Sequence, residues 1–128
     1  MTTVNELDKK RMLMKRDTDE LVRVHEKNAA SMWRATYHVQ PVTGLMNDPN
    51  GFTYCNKKWH LFYQWFPLGP VHGVKYWYHL SSTDLVTFTD EGIAMKPDTV
   101  YDSHGVFSGT GLPSEDKLFL FYTGNTRD

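Results

Sequence analysis

A chain of 128 residues, of which 40% are hydrophobic and 14% aromatic, can form one packed domain, which argues against an intrinsically disordered protein. Its formal net charge of −1, without a long basic run, argues against nucleic acid as a partner, and no apolar stretch approaches the roughly 18 residues of a membrane span. The single cysteine, Cys55, cannot form an internal disulfide, and the charged N-terminus lacks the apolar region of a signal peptide, so a cytoplasmic location is expected.

Residues 1–32 are predicted to form an N-terminal helical segment, because this stretch is rich in charge and contains neither proline nor glycine. Asp17 and Glu20 have the spacing of a capping box, and apolar residues follow at helical spacing. The pattern predicts a helix over Thr18–Ala29 and also allows an earlier one over 5–14. The apolar stripe is narrow, which favours a surface or packing helix over a helix that binds a partner.

Residues 33–128 have the pattern of a multi-stranded antiparallel sheet, because short runs of aromatic and β-branched residues alternate with turn residues. Polar turns at 56–58 and 113–116 predict two hairpins. Groups of strands recur along the chain, as the four-stranded blades of a β-propeller do, although a sandwich also fits the composition. The candidate strands are 51–55, 59–65, 76–82, 87–91, 106–112 and 118–123.

The stretch 45–51, which reads Leu-Met-Asn-Asp-Pro-Asn-Gly, carries the main candidate for chemistry. The proline fixes its own φ and pushes Asp48 towards an extended conformation, and the following Asn-Gly pair tolerates positive φ, so the pattern predicts a tight turn. Such a turn would hold the Asp48 carboxylate between the carboxamides of Asn47 and Asn50. A carboxylate in a fixed orientation suits a nucleophile, while a residue that only caps the turn is the plainer alternative.

The same stretch resembles the Trp-Met-Asn-Asp-Pro-Asn-Gly signature of glycoside hydrolase family 32, the invertases and related β-fructofuranosidases. Leu45 stands where many members have tryptophan. Within the family, 73–77 and 101–105 most resemble the bacterial sucrose-6-phosphate hydrolases. Further motifs match in the order of the family, from about Trp33 to the last residue: Phe62-Tyr63-Gln64, Trp77 with His79, Ser82, Asp84-Leu85-Val86, Phe107-Ser108-Gly109 and Tyr122-Thr123-Gly124.

The resemblance implies a mainly β fold, in which 33–128 form about two blades of a five-bladed β-propeller after the N-terminal helical segment. The predicted strand 118–123 is apolar on both of its faces and therefore needs cover on both sides. We expect 33–128 to be the truncated N-terminal part of a larger catalytic domain, or to be covered by another chain.

The resemblance also implies a hydrolase that cleaves the fructosyl bond of sucrose or sucrose 6-phosphate by a retaining double displacement, with Asp48 as nucleophile and no cofactor. The acid/base glutamate of the family lies in a Glu-Cys motif, and this sequence contains no Glu-Cys pair. A non-catalytic fructoside-binding module or an inactive truncated fragment is therefore the alternative. The residues implied for substrate binding are Leu45, Met46, Asn47, Gln64, Phe107 and Ser108. For Phe107 the plainer alternative is core packing, and for Ser108 it is a bulge.

Two positions in the loop before the strand 76–82 are candidates for reading a phosphate group. Where many family members have a Trp-Gly pair, this chain has His72-Gly73, and Lys75 follows. Cationic side chains suit a dianion, so His72 and Lys75 are predicted to contact the 6-phosphate, with a solvated loop as the alternative. The six histidines show neither His-x-His nor His-x-x-x-His spacing, so no metal site is expected.

Overall fold

The computed structural model describes residues 4–126, and its helical part lies near the N-terminus. Helix α1 covers Thr18–Ala29, as predicted. The earlier helix over 5–14 is wrong, because two short 3-10 turns, Asp8–Lys10 and Lys15–Asp17, take its place with Arg11 extended between them. None of the described helices is long and apolar enough to cross a membrane.

Ion pairs around Arg11 account for this departure from the predicted helix. The Arg11 guanidinium donates from Nε to Asp8 Oδ1 at 2.7 Å and from Nη1 to Asp17 Oδ2 at 2.7 Å. The Asp17 carboxylate also accepts the backbone N–H of Met14, and these contacts, Arg11 foremost, lower the pKa of Asp17. The predicted capping box is wrong, since α1 has no side-chain hydrogen bond at its N-cap and Asp17 holds the bend instead.

Four strands form an antiparallel sheet, sheet A, in chain order: β1 (Leu45–Cys55), β2 (Lys58–Phe66), β3 (Tyr76–Ser82) and β4 (Thr89–Met95). All four are predicted by the sequence, although β1 begins earlier and β4 lies later than expected. The turn between β1 and β2 has positive φ at both central residues, Asn56 (50°) and Lys57 (62°), which matches the twist of a two-residue hairpin. A meander of four strands is the size of one propeller blade.

A second sheet, sheet B, consists of β5 (Gly105–Ser114) and β6 (Lys117–Asn125) within the described residues. Pro113 and Ser114 pair with the first two residues of β6, so the hairpin turn is Glu115-Asp116 alone, shorter than the predicted 113–116. The described chain therefore contains one four-stranded sheet and one two-stranded sheet, both open. The mainly β fold behind a short helix agrees with the prediction.

The two sheets are joined by a small apolar cluster. Phe62 and Trp77 of sheet A pack with Val106 of β5, and none of the three is more than 2% exposed. Leu118 and Leu120 of β6 pack against this cluster from the side. A larger cluster packs on the other side of sheet A, with its buried members from β2, β3 and the segment before β1: Val42, Tyr63, Trp65, Tyr76, Tyr78 and Leu80.

The outer face of β6 is uncovered in the described part of the chain. Phe119 is 49% exposed and Phe121 is 57% exposed, while the leucines that alternate with them are partly buried. In the described part of the chain, the side of β6 with Leu118 and Leu120 therefore packs against an apolar cluster, while the side with Phe119 and Phe121 does not.

β1 is irregular around Asp48, where the sequence predicts a tight turn. Asp48 has a φ of 41° and Gly51 a φ of 60°, and the pairing with β2 slips twice along this stretch. The predicted turn is wrong, because β1 pairs with β2 on both sides of the irregularity, and the extended conformation expected for Asp48 is wrong as well. Since β1 is an edge strand of sheet A, the missing N–H of Pro49 does not interrupt a central strand.

We predict that Gly51→Ala destabilises the chain more than Gly92→Ala does. A Cβ at Gly51 would lie 2.7 Å from the ring of Phe62 and 3.1 Å from that of Trp77, whereas nothing lies within 4 Å of a Cβ at Gly92. Both glycines have positive φ, 60° at Gly51 and 94° at Gly92, so backbone strain of about 1–3 kcal/mol contributes to the loss in both variants. Steric overlap should add about 1–3 kcal/mol for Gly51→Ala alone. Urea unfolding measures both, and equal losses would contradict the packing described here.

Candidate active site

A cavity of about 410 Å³ opens beside Asp48, where sheet A meets sheet B. All but one of the residues that line it are predicted for the site from the sequence, and the exception is Thr123. The structure thus brings the candidate nucleophile, four of the six candidate sugar contacts and both candidate phosphate contacts to one place. The lining residues are Asn47, Asp48, Gln64, His72, Lys75, Phe107, Ser108 and Thr123.

A directed chain of hydrogen bonds runs from β1 through β2 and β5 back to Asp48. Asn47 Nδ2 donates to Gln64 Oε1 at 3.1 Å, and Gln64 Nε2 donates to Ser108 Oγ at 2.9 Å. Ser108 Oγ in turn donates to Asp48 Oδ2 at 3.1 Å. Since a serine has one hydroxyl proton, accepting from Gln64 leaves that proton for Asp48. The chain therefore holds one oxygen of an otherwise exposed carboxylate.

Asn50 supports the backbone of Asp48 rather than its carboxylate. Its Nδ2 donates to the backbone oxygen of Asp48 at 2.8 Å, and its Oδ1 accepts the backbone N–H of Gly109 at 3.3 Å. The prediction that two carboxamides flank the carboxylate is therefore wrong, because Asn47 contacts Gln64 and Asn50 contacts the main chain. The contact to Gly109 ties the irregular part of β1 to β5.

Asn47 also carries a buried oxygen that lacks a partner. Within residues 4–126, its Oδ1 has no hydrogen bond although it is inaccessible to solvent. Buried acceptors are nearly always satisfied, and an unsatisfied one costs free energy. Asn47 lines the cavity, so a ligand hydroxyl becomes a suitable donor once the side chain shifts to open this oxygen to the cavity.

A bulge in β5 directs Ser108 towards Asp48. The pairing of β5 with β6 slips between Phe107 and Thr110, so the bulge predicted as the plainer alternative for Ser108 is present and also serves the site. Trp77 Nε1 donates to the backbone oxygen of Phe107 at 3.2 Å, which fixes the bulge against sheet A. The Phe107 side chain itself is 37% exposed and lines the cavity, so core packing does not describe it.

Lys75 is a buried cation in the wall of the cavity. It is 4% exposed, and burial lowers its pKa to about 8, an effect that the negative charge of Asp48 partly offsets. Its Nζ lies 3.1 Å from Nδ1 of the exposed His72. Because an ammonium group only donates, His72 Nδ1 accepts, and a neutral His72 therefore carries its proton on Nε2.

The other two predicted sugar contacts lie outside this cavity. Leu45 and Met46 pair with Phe66 and Trp65 at the start of β1, and Met46 packs against the larger apolar cluster. Neither residue lines the Asp48 cavity, and the packing shown for Met46 is against the apolar cluster instead.

Two residues that support the site are not singled out for it from the sequence: Thr123 and Trp77. Thr123 pairs with Phe107 across sheet B, so its position follows only from the β5–β6 register. In the described part of the chain, Asp48 is the only carboxylate that lines the cavity, and no group of three or more metal-binding side chains occurs.

Comparison with known proteins gives one consistent family. The profile of the glycosyl hydrolases family 32 N-terminal domain matches residues 38–128. The sucrose-6-phosphate hydrolase of Pediococcus pentosaceus is 60% identical over 97 residues, which cover 76% of this chain and 19% of that protein. The chain spans about a fifth of the length of the curated relatives it matches.

Solved structures agree with this result. The sucrose-6-phosphate hydrolase of Lactobacillus gasseri superposes with a TM-score of 0.91 at 42% identity, over 98% of this chain and 26% of that one. A mutant of the family 32 β-fructofuranosidase of Bombyx mori in complex with sucrose gives 0.69 at 35% identity, over 88% of this chain and 24% of that one. These likenesses confirm the predicted fold class, that of the family's N-terminal β-propeller region.

We predict that replacing Asp48 by asparagine lowers the pKa of Lys75 further below its ordinary value. The carboxylate is the group that raises this pKa against the effect of burial, so its removal leaves burial unopposed. A pH titration of the Lys75 side chain by NMR measures the change, with Asp116→Asn in the exposed β5–β6 turn as the control. A pKa that stays at about 8 or rises in Asp48→Asn would contradict the coupling.

Proposed function

The chain belongs to glycosyl hydrolase family 32, and on that basis we propose that it supplies the nucleophile of a site that hydrolyses the fructosyl bond of sucrose or sucrose 6-phosphate. The observation that carries the proposal is the chain of hydrogen bonds that ends on Asp48 in a cavity lined by polar groups. The relatives named as sucrose-6-phosphate hydrolases support the choice of substrate.

In the proposed reaction, an oxygen of the Asp48 carboxylate attacks the anomeric carbon of the fructosyl unit. The bond from that carbon to the bridging oxygen breaks, and the leaving sugar takes a proton from a second carboxyl group. Water then gives a proton to that second group and attacks the anomeric carbon, and the bond from this carbon to Asp48 breaks, which releases fructose and the free Asp48 carboxylate. Retaining enzymes place the two carboxyl groups about 5–5.5 Å apart. Since Asp48 is the only carboxylate in the described lining, the proposal requires that the proton donor come from a group outside this set.

The remaining lining residues have proposed roles that follow from their contacts. Ser108 holds one oxygen of Asp48, which leaves the other for the anomeric carbon. The buried Oδ1 of Asn47 accepts a sugar hydroxyl, and this contact satisfies an acceptor that otherwise has no partner in the described residues. The exposed ring of Phe107 offers an apolar surface to a sugar face.

We also propose that His72 and Lys75 distinguish a phosphorylated from an unphosphorylated substrate. Lys75 Nζ donates to His72 Nδ1, so His72 Nε2–H remains as a donor for a phosphate oxygen beside a buried positive charge. The low exposure of Lys75 strengthens its attraction for an anion, because little water screens the charge.

Asp48→Asn should lower kcat for sucrose hydrolysis by at least about a thousandfold in the full-length gene product, because the amide cannot form the covalent intermediate. Asp116→Asn removes a carboxylate from an exposed turn and serves as the matched control. Release of fructose is measured under saturating sucrose. Undiminished hydrolysis by Asp48→Asn would refute the role of Asp48, and saturable fructoside binding without any turnover by the unmodified protein would favour the binding module.

The preference for sucrose 6-phosphate over sucrose should fall as pH rises through about 8, where Lys75 loses its charge. The folded pKa lies below the ordinary 10.5, so the charge needed for the phosphate is lost early rather than late in the alkaline range. His72→Ala and Lys75→Ala should each reduce the kcat/KM ratio of the two substrates about tenfold, the value of one charged hydrogen bond. Equal losses on both substrates, or a pH-independent ratio, would contradict the assignment.

A further inference from the structure

A second cavity, of about 440 Å³, adjoins the Asp48 cavity on the side of the N-terminal segment. The two cavities share His72 and Phe107 in their walls. The far wall of the second cavity is formed by residues that precede α1, among them Lys9 and Lys10. His104 also lines this cavity. A ligand that extends from the Asp48 cavity past His72 would therefore contact the N-terminal segment.

Specific contacts hold this segment against the loop that carries His72 and Lys75. The backbone oxygen of Lys9 accepts the N–H of Val74 at 2.9 Å, one residue before Lys75. Further along, the backbone N–H of Leu13 donates to the hydroxyl of the buried Tyr76 at 2.7 Å. These two contacts fix the residues between them over the start of β3, so the position of Lys10 is set by the fold.

The charges in the second cavity favour an anion. Among residues 4–126, Glu6 is the only acid in the wall of this cavity, and its carboxylate is bound to Lys9 Nζ at 2.6 Å, which lowers the pKa of Glu6. Lys10 forms no salt bridge with any residue from 4 to 126, although its charge also acts on the Glu6 carboxylate at longer range. His72 contacts Lys75 through Nδ1 and lines the second cavity together with Lys10, with Nε2–H as its remaining donor.

We propose that the second cavity is an anion subsite for the phosphate group of a sugar phosphate, in which Lys10 of the N-terminal segment is a specificity-determining residue. The proposal rests on the proposed function of the Asp48 cavity and extends it. The phosphate lies between Lys10 and His72, and it receives an ionic contact from Lys10 and a hydrogen bond from His72 Nε2. An unphosphorylated sugar at the same place has no group that Lys10 attracts.

The test uses Lys10→Gln in the full-length gene product, with Lys10→Arg to keep the charge. Lys15→Gln is the matched control, because Lys15 is an exposed lysine of the same segment that lines neither cavity. Lys10→Gln should lower the ratio of kcat/KM for sucrose 6-phosphate to kcat/KM for sucrose about tenfold, and Lys10→Arg should restore most of it. The ratio should stay constant in Lys15→Gln. A ratio unchanged in Lys10→Gln, or lowered as much in Lys15→Gln, would overturn the subsite.

A binding measurement separates this proposal from the proposed function. Glucose 6-phosphate, titrated against the unmodified protein, should shift the imidazole NMR signals of His72 and His104 saturably, and glucose should not. Its dissociation constant should increase about tenfold in Lys10→Gln. If this holds while neither sucrose nor its 6-phosphate is hydrolysed, the subsite stands and the proposed function fails. If sucrose is cleaved through Asp48 while Lys10→Gln binds glucose 6-phosphate unchanged, the subsite is refuted and the proposed function stands.

Discussion

The site depends on the close approach of β1 to β5. A side chain on Gly111 would overlap Thr53 of β1, so this position of β5 needs glycine for the two strands to meet. A side chain on Gly109 would overlap the main chain of β6, so this position needs glycine for the pairing within sheet B. The approach is then secured from sheet A, where Trp77 binds the backbone of Phe107 and the backbone oxygen of Lys75 accepts the N–H of Val106. Only at this separation can a residue as short as Ser108 reach the carboxylate of Asp48.

The same constraint accounts for the unusual backbone of Asp48. A non-glycine residue at positive φ costs about 1–3 kcal/mol and persists only where its surroundings determine the conformation. Here the surroundings are the β2 ladder on both sides of the irregularity and the Asn50 side chain, which binds the Asp48 backbone oxygen and Gly109 of β5 together. The local sequence alone favours a turn. Contacts with β2 and β5 instead hold this stretch as a distorted strand.

This contrast shows what the sequence could and could not supply. Helix α1 and the six strands follow from periodicity and turn residues, since those patterns act over a few neighbours. The bend at Arg11 does not follow from these local patterns, because it depends on ion pairs with one aspartate on each side, Asp8 and Asp17. The roles predicted for Asn47 and Ser108 rest on a resemblance, and the role of Asp48 rests both on the resemblance and on its local sequence. The structure brings the three side chains together through Gln64. No sequence motif marks Lys10 as a site residue, because its position relative to His72 depends entirely on how the N-terminal segment packs against the sheets.

Lys75 is the residue whose position is hardest to explain by stability alone. Its folded pKa of about 8 lies below the ordinary 10.5, so the protonated form costs stability below pH 8 and the cost disappears only as pH rises through 10.5. Hydrogen bonding to His72 and the charge of Asp48 compensate only partly, and an apolar residue of the same length would avoid the cost altogether. A buried charge with incomplete compensation is expected where a ligand completes it. A phosphate dianion would do so, because it stabilises the protonated form of Lys75. Its binding would therefore offset part of the free energy that burying this charge costs on folding.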